Sequence, residues 1–140
     1  MDLPEALLSA WMRATFTISN RRLTDAMPYN EAAVCKVLYE AGQGVTAKEL
    51  CEQLHMLKSQ MNAILEAMRS KGIIQKQRAQ SDKRKVYIHL TAEGERAFLA
   101  EHAKNIGLVE NLVAAVGTER ARCAAEVLNQ ASDLFNELKK

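Results

Sequence analysis

The spacing of apolar residues changes decisively at Gly72, and that change limits the folds open to the chain. Before it, apolar side chains recur at helical spacing. After it, "IIQKQ" and "VYIHL" are short runs rich in β-branched and apolar residues, separated by a charged turn, and helical spacing returns from Thr91. A lone β-hairpin set among helices predicts a mainly α (α+β) fold. With 140 residues and 48% hydrophobic composition, one domain over 1–140 accommodates it.

Capping signals divide the helical parts. Asp2 and Glu5 form a D-x-x-E pattern with Pro4 in the first turn, and open a helix whose Leu3, Leu7, Leu8, Trp11, Thr15 and Ile18 share one stripe. A break at "DAMPYN" precedes a second helix, expected from about Asn30 as its cap to Gly42 as its left-handed stop, with Val34, Val37, Leu38 and Ala41 facing the core. Val45 and Thr46 read as a short strand, and Thr46 with Glu49 opens a third helix. Only His55, Met56 and Leu57 separate it from a fourth, in which Met61, Ile64, Leu65 and Met68 fall at i, i+3, i+4 and i+7. Two helices joined so tightly form a helix-turn-helix candidate. Beyond the hairpin, Thr91 caps a fifth helix carrying Phe98, Leu99, Ile106, Val109, Leu112, Val113 and Val116, which Gly94 and Gly107 are expected to weaken locally. Thr118 caps a sixth with Val127, Leu128, Ala131, Leu134, Phe135 and Leu138.

The order helix, helix, short strand, helix, helix, hairpin is a winged helix-turn-helix, expected over 28–90. The helices at 1–24 and 92–140 carry more apolar surface than so small a domain needs. Pairing with a second copy is the economical explanation, so they are read as dimerisation helices.

The net charge of +2 conceals an uneven distribution. Residues 58–85 hold eight basic and two acidic side chains, whereas the segments before and after that stretch are each −2. A local excess of this kind is the footprint of a polyanion-binding surface, and also of an ordinary solvated face, until the surrounding elements are considered.

The stretch "KGIIQKQRAQSDKRKVYIHLTAEG", residues 71–94, resembles the wing signature of MarR-type transcriptional regulators. Gly72-Ile73-Ile74, Lys76, Asp82, Arg84, Val86, Ile88, Leu90, Thr91 and Gly94 match that pattern without a gap. The resemblance implies a homodimer, roughly triangular, on a pseudo-palindromic double-stranded DNA operator. Its fourth helix would lie in the major groove and its wing near the adjacent minor groove. Lys58, Ser59, Gln60, Asn62 and Ala63 are then the recognition-helix candidates, with Gln and Asn suited to adenine and Ser to bases or phosphates. On the wing, Arg84 is the candidate for minor-groove insertion, and Asp82 is expected to bond Arg84 or the turn backbone and aim the guanidinium. Lys76, Arg78, Lys83 and Lys85 are expected phosphate contacts. Two positions depart from the family pattern: Leu57 stands where a capping Ser or Asp is common, and Ala63 where an Arg is common. Operator preference is therefore not inherited.

Family members commonly respond to small phenolic or anionic effectors near the first, second and fifth helices, to thiol oxidation, or to zinc. Trp11, Arg13, Phe16 and Tyr29 are the candidate effector wall and counter-ion, against core and dimer packing for Trp11 and Phe16. Cys35, Cys51 and Cys123 lack CxxC spacing and sit beside apolar positions, which predicts inert buried thiols. His55, His89 and His102 show no paired spacing, and Glu101-His102 alone is a poor zinc site. No cofactor is expected, and no phosphate loop or nucleophile elbow suggests an enzyme. The acidic N-terminus and short apolar runs predict a cytoplasmic protein with no membrane association. Repression through a DNA-binding dimer is the expected function. The alternative is a winged-helix protein-interaction module that does not itself read DNA.

Overall fold

The computed structural model describes residues 2–21 and 27–138. The first part of the "DAMPYN" break and the ends of the segments 1–24 and 92–140 therefore lie outside the described residues. The order is α1 Leu3–Arg21, α2 Tyr29–Ala41, α3 Ala47–Leu54, α4 Lys58–Ser70, β1 Ile74–Arg78, β2 Val86–Leu90, α5 Ala92–Val116 and α6 Thr118–Leu138. This is the mainly helical winged helix-turn-helix expected from the apolar spacing. The two strands pair antiparallel in the register Ile74↔Leu90 through Arg78↔Val86. Val45 contributes a single bridge to Ile88, bonded both ways at 3.1 and 2.8 Å, rather than a strand.

The core sits where α2, α3 and α4 meet the base of the wing. Val34, Cys35, Leu50, Met61, Leu65, Met68 and Ile88 are almost wholly removed from water. Each such aliphatic side chain contributes about 1.5–3 kcal/mol of transfer free energy, so this cluster dominates the stability of the winged part. Helix α2 departs from expectation in two ways. It begins at Tyr29, because Pro28 has φ −57° and offers its carbonyl to the Ala32 N–H at 2.9 Å, which leaves Asn30 inside the first turn and not at the cap. Its buried face centres on Val34, Cys35 and Leu38, with Val37 at the margin and Ala41 exposed. Glu31 is buried in its first turn and accepts two hydrogen bonds from Lys71 at 2.8 and 3.1 Å, tying α2 to the end of α4.

Other caps follow the sequence. The Asp2 carboxylate accepts from the Glu5 N–H at 3.0 Å, the Thr46 hydroxyl from Glu49 at 3.2 Å, and the Thr91 hydroxyl from Gly94 at 2.9 Å. Gly42 closes α2 at φ 65°, and His55 closes α3 in the same left-handed region at φ 52°. At the start of α6 the expectation shifts by one place: Gly117 occupies the junction and Thr118 is already helical.

Helices α1, the distal half of α5, and α6 stand outside the core. On α1, Leu7, Leu8, Met12 and Phe16 are exposed, and Trp11 meets Phe135 of α6 edge-on with ring centroids 5.8 Å apart. Leu108 and Leu112 on α5 and Val127, Leu128 and Leu134 on α6 are also exposed. Cys123 shares that uncovered side of α6 and is exposed, contrary to the expectation of burial. Its apolar neighbours are themselves open to solvent in the single chain. Among the described residues, no helix is long and apolar enough to cross a membrane.

Candidate nucleic-acid interface

The inward stripe of α4 fixes what faces out. With Met61, Leu65 and Met68 buried, Lys58, Ser59, Gln60, Asn62 and Ala63 are all exposed. The first four N–H groups of a helix have no partner within it, and the residue before α4 cannot supply one, because the Leu57 side chain has no acceptor. Instead Gln60 folds back, and its Oε1 accepts from the Leu57 N–H at 3.3 Å. That bond was not foreseen from the sequence. It commits one lone pair of the Gln60 carbonyl and turns that end of the amide toward Leu57, whereas two-point adenine recognition needs both halves of the amide facing the base. Asn62 keeps both. Farther along α4, Glu66 pairs with Arg69, whose guanidinium hydrogen bond holds the Glu66 carboxyl below its ordinary range. The negative charge on this helix is therefore answered within the helix itself.

The wing tip is built around Asp82. Its Oδ1 accepts from the backbone N–H of Arg84 at 3.0 Å and lies 3.5 Å from the Arg84 Nε. Its carbonyl closes a tight turn by accepting from the Lys85 N–H at 3.0 Å. Asp and Asn are favoured at such turns because the short side chain reaches the backbone two residues on. One oxygen thus holds the turn backbone and stands at ion-pair distance from the guanidinium, and Arg84 is left 94% exposed. Arg78 sends Nη1 to the Lys83 carbonyl at 2.8 Å, bracing the turn across the hairpin. Lys76, Lys83 and Lys85 are exposed.

Between α3, the start of α4 and the wing runs an open groove of about 840 Å3. Lys48, Lys58, Arg84 and Lys85 border it, with Glu49 and Glu52 on the α3 side. The wing is fixed to the helices at its base by Thr91. The Thr91 hydroxyl donates to the Gly72 carbonyl at 2.6 Å while accepting from the Gly94 N–H, and the Thr91 N–H donates to the Ile73 carbonyl at 3.0 Å. Gly94 follows from the same knot: a Cβ there would lie 2.1 Å from the Ile73 carbonyl oxygen. Its absence of a side chain permits the close approach, which is a different role from the helix weakening expected of it.

The candidate effector residues are arranged less compactly. Trp11, Arg13 and Phe16 are exposed on α1, and Tyr29 is exposed at the start of α2. Two positions apart on a helix, Trp11 and Arg13 project roughly 160° from one another, so one chain does not set them on a single wall. Of the cysteines, Cys35 is inert as expected: burial, reinforced by the Glu31 carboxylate, pushes its thiol up to about 12. Cys51 is half-buried. The His102 ring stacks on Phe98 at 5.3 Å, and His89 lies on β2.

The family model described as transcriptional regulator SarA/Rot matches residues 18–100, from the end of α1 through the wing into α5. No curated protein matches the chain. Among solved structures, the PcaV transcriptional regulator of Streptomyces coelicolor with its natural ligand aligns at 18% identity and TM-score 0.78, over 95% of this chain and 96% of that one. Streptococcus pneumoniae FabT in complex with DNA aligns at 19% identity and TM-score 0.76, over 96% of each chain. The regulator BldR of Sulfolobus solfataricus aligns at 18% and 0.69, over 98% and 99%. The shared architecture is the winged helix-turn-helix fold, and with the family match spanning more than half of the sequence, the chain belongs to the SarA/Rot family of transcriptional regulators.

Proposed function

We propose that the chain works in the cytoplasm as a homodimeric, sequence-specific DNA-binding repressor on a pseudo-palindromic operator, released by a small-molecule effector. The observation that carries the DNA-binding part is the wing tip. An almost fully exposed arginine paired with a carboxylate, beside an exposed polar helix start, is arranged for an anionic duplex. Simple charge attraction would leave Asp82 without a use. The DNA complex of the similarly folded FabT supports the same reading.

Dimerisation is supported by the uncovered apolar faces of α1, α5 and α6 and by an open apolar hollow of about 520 Å3 along α6 at Cys123, Ala124, Val127 and Leu128. An effector is supported by PcaV's natural ligand and by α5. There, among the described residues, Glu101 Oε2 and Asn105 Oδ1 are buried without a hydrogen-bond partner. Two such acceptors favour a ligand that donates, such as a phenol or an amine, while the other Glu101 oxygen is paired with Lys104 at 3.5 Å.

Selection of bound duplexes from a random pool, followed by titration of Arg84→Ala on the recovered site, tests the reading. The substitution is expected to weaken binding roughly tenfold or more with the dimer intact. Wild-type affinity should fall steeply with salt. Unchanged affinity in Arg84→Ala would remove the wing from the interface, and no binding of any duplex at low salt would favour the protein-interaction alternative.

A further inference from the structure

Leu57 breaks a local rule without a return inside the chain. It stands at the N-cap of α4 with φ −70° and ψ 147°, the position where a side-chain oxygen ordinarily satisfies a free N–H. An apolar residue there forgoes the stability that a capping oxygen gives a helix. Burial would offset that loss, yet Leu57 is 70% exposed. A single exposed leucine is ordinary on a protein surface, but the location of this one is not. It precedes Lys58, Ser59 and Gln60 at the tip of the helix read above as entering the major groove. Gln60 also holds its backbone by accepting from the Leu57 N–H at 3.3 Å. The position is therefore fixed, forward and apolar.

The major groove offers one apolar feature to such a side chain, the C5-methyl group of thymine. We infer that Leu57 is a specificity-determining residue that selects thymine in each operator half-site by packing on that methyl. The inference rests on the DNA-binding reading and adds to it the base preferred and the residue responsible. It also accounts for the cost at the cap: the apolar surface stays uncovered until DNA covers it.

Deoxyuridine differs from thymidine only by that methyl, so it isolates the contact. The duplex recovered by selection is rebuilt with each thymine replaced in turn, and titrated with wild type, Leu57→Ala and Leu57→Ser. One replacement in a single half-site should weaken the wild type by about three- to fivefold, the worth of one buried methyl, and leave Leu57→Ala unaffected. Leu57→Ser restores a cap, so it should melt at or above the wild-type temperature while losing the same discrimination. That combination separates base contact from a structural role. If no replacement distinguishes wild type from Leu57→Ala, the inference is wrong even though DNA binding stands. If the wild type binds no duplex at all, the DNA-binding reading falls, and this inference with it.

Discussion

Cys35 shows how a residue's neighbours decide its chemistry. It lies one turn from Glu31, sealed among Val34, Leu38 and the α4 stripe, and its thiol is raised from 9.0 to about 12. Because the folded value exceeds the unfolded one, the contribution to stability is complete below pH 9 and is lost as pH climbs toward 12. Denaturant midpoints measured across that window should fall for the wild type and fall less for Cys35→Ala. In the native protein at pH 8, a thiol reagent should leave Cys35 unmodified, as mass spectrometry of peptides would show. Apolar spacing placed Cys35 beside a core position but could not reveal the adjacent buried carboxylate. Glu31 reads from sequence as an ordinary first-turn acid, and only Lys71, forty positions later, explains why it tolerates burial.

Elements were legible wherever local chemistry decides them. The hairpin, the Thr46 and Thr91 caps, and the Asp82 turn depend on residues within a few positions of each other, and the structure places each as read. The caps expected at Asn30 and Thr118 each moved by a place or two, and the larger exceptions are contacts between elements. Gly94 looked like a flaw in a helix because Ile73, its reason, belongs to a different element. Gly94→Ala should therefore cost about 3 kcal/mol or more, since the clash is with backbone and not with a yielding side chain. The turn between α3 and α4 makes the opposite case. His55 is the only non-glycine residue at positive φ among the described residues, and His55→Gly should gain up to about 1 kcal/mol there. Urea unfolding of both variants checks the pair, and equal effects would contradict the geometry. The fold-back of Gln60 was hidden for another reason: a leucine at a cap announces a missing side-chain acceptor, and says nothing of the Leu57 N–H that Gln60 takes up.

At the scale of the molecule, the sequence showed that the terminal helices are apolar and the single chain shows them still uncovered. Apolar spacing reports a face, whereas its occupant is a property of two surfaces. The proposed seam through α1, α5 and α6 makes a direct prediction. Leu112→Glu with Leu128→Glu should convert a dimer to a monomer in sedimentation equilibrium, with helical content retained. Operator affinity should then drop at least a hundredfold, because two half-sites about 34 Å apart would no longer be engaged together. A doubly substituted chain that stays dimeric would move the seam elsewhere.

The hydroxyl of Thr91 belongs at once to the end of the hairpin and to the first turn of α5. Mechanically, that makes α5 a lever with the wing clamped to one end. Its 25 residues at 1.5 Å each span about 37 Å, so a tilt of roughly 5° pivoted at the far end sweeps the wing through about 3 Å. That is the length of a hydrogen bond. Under the proposed function, a displacement of that size would be enough to carry Arg84 out of reach of DNA, so release would call for a change of angle rather than unfolding.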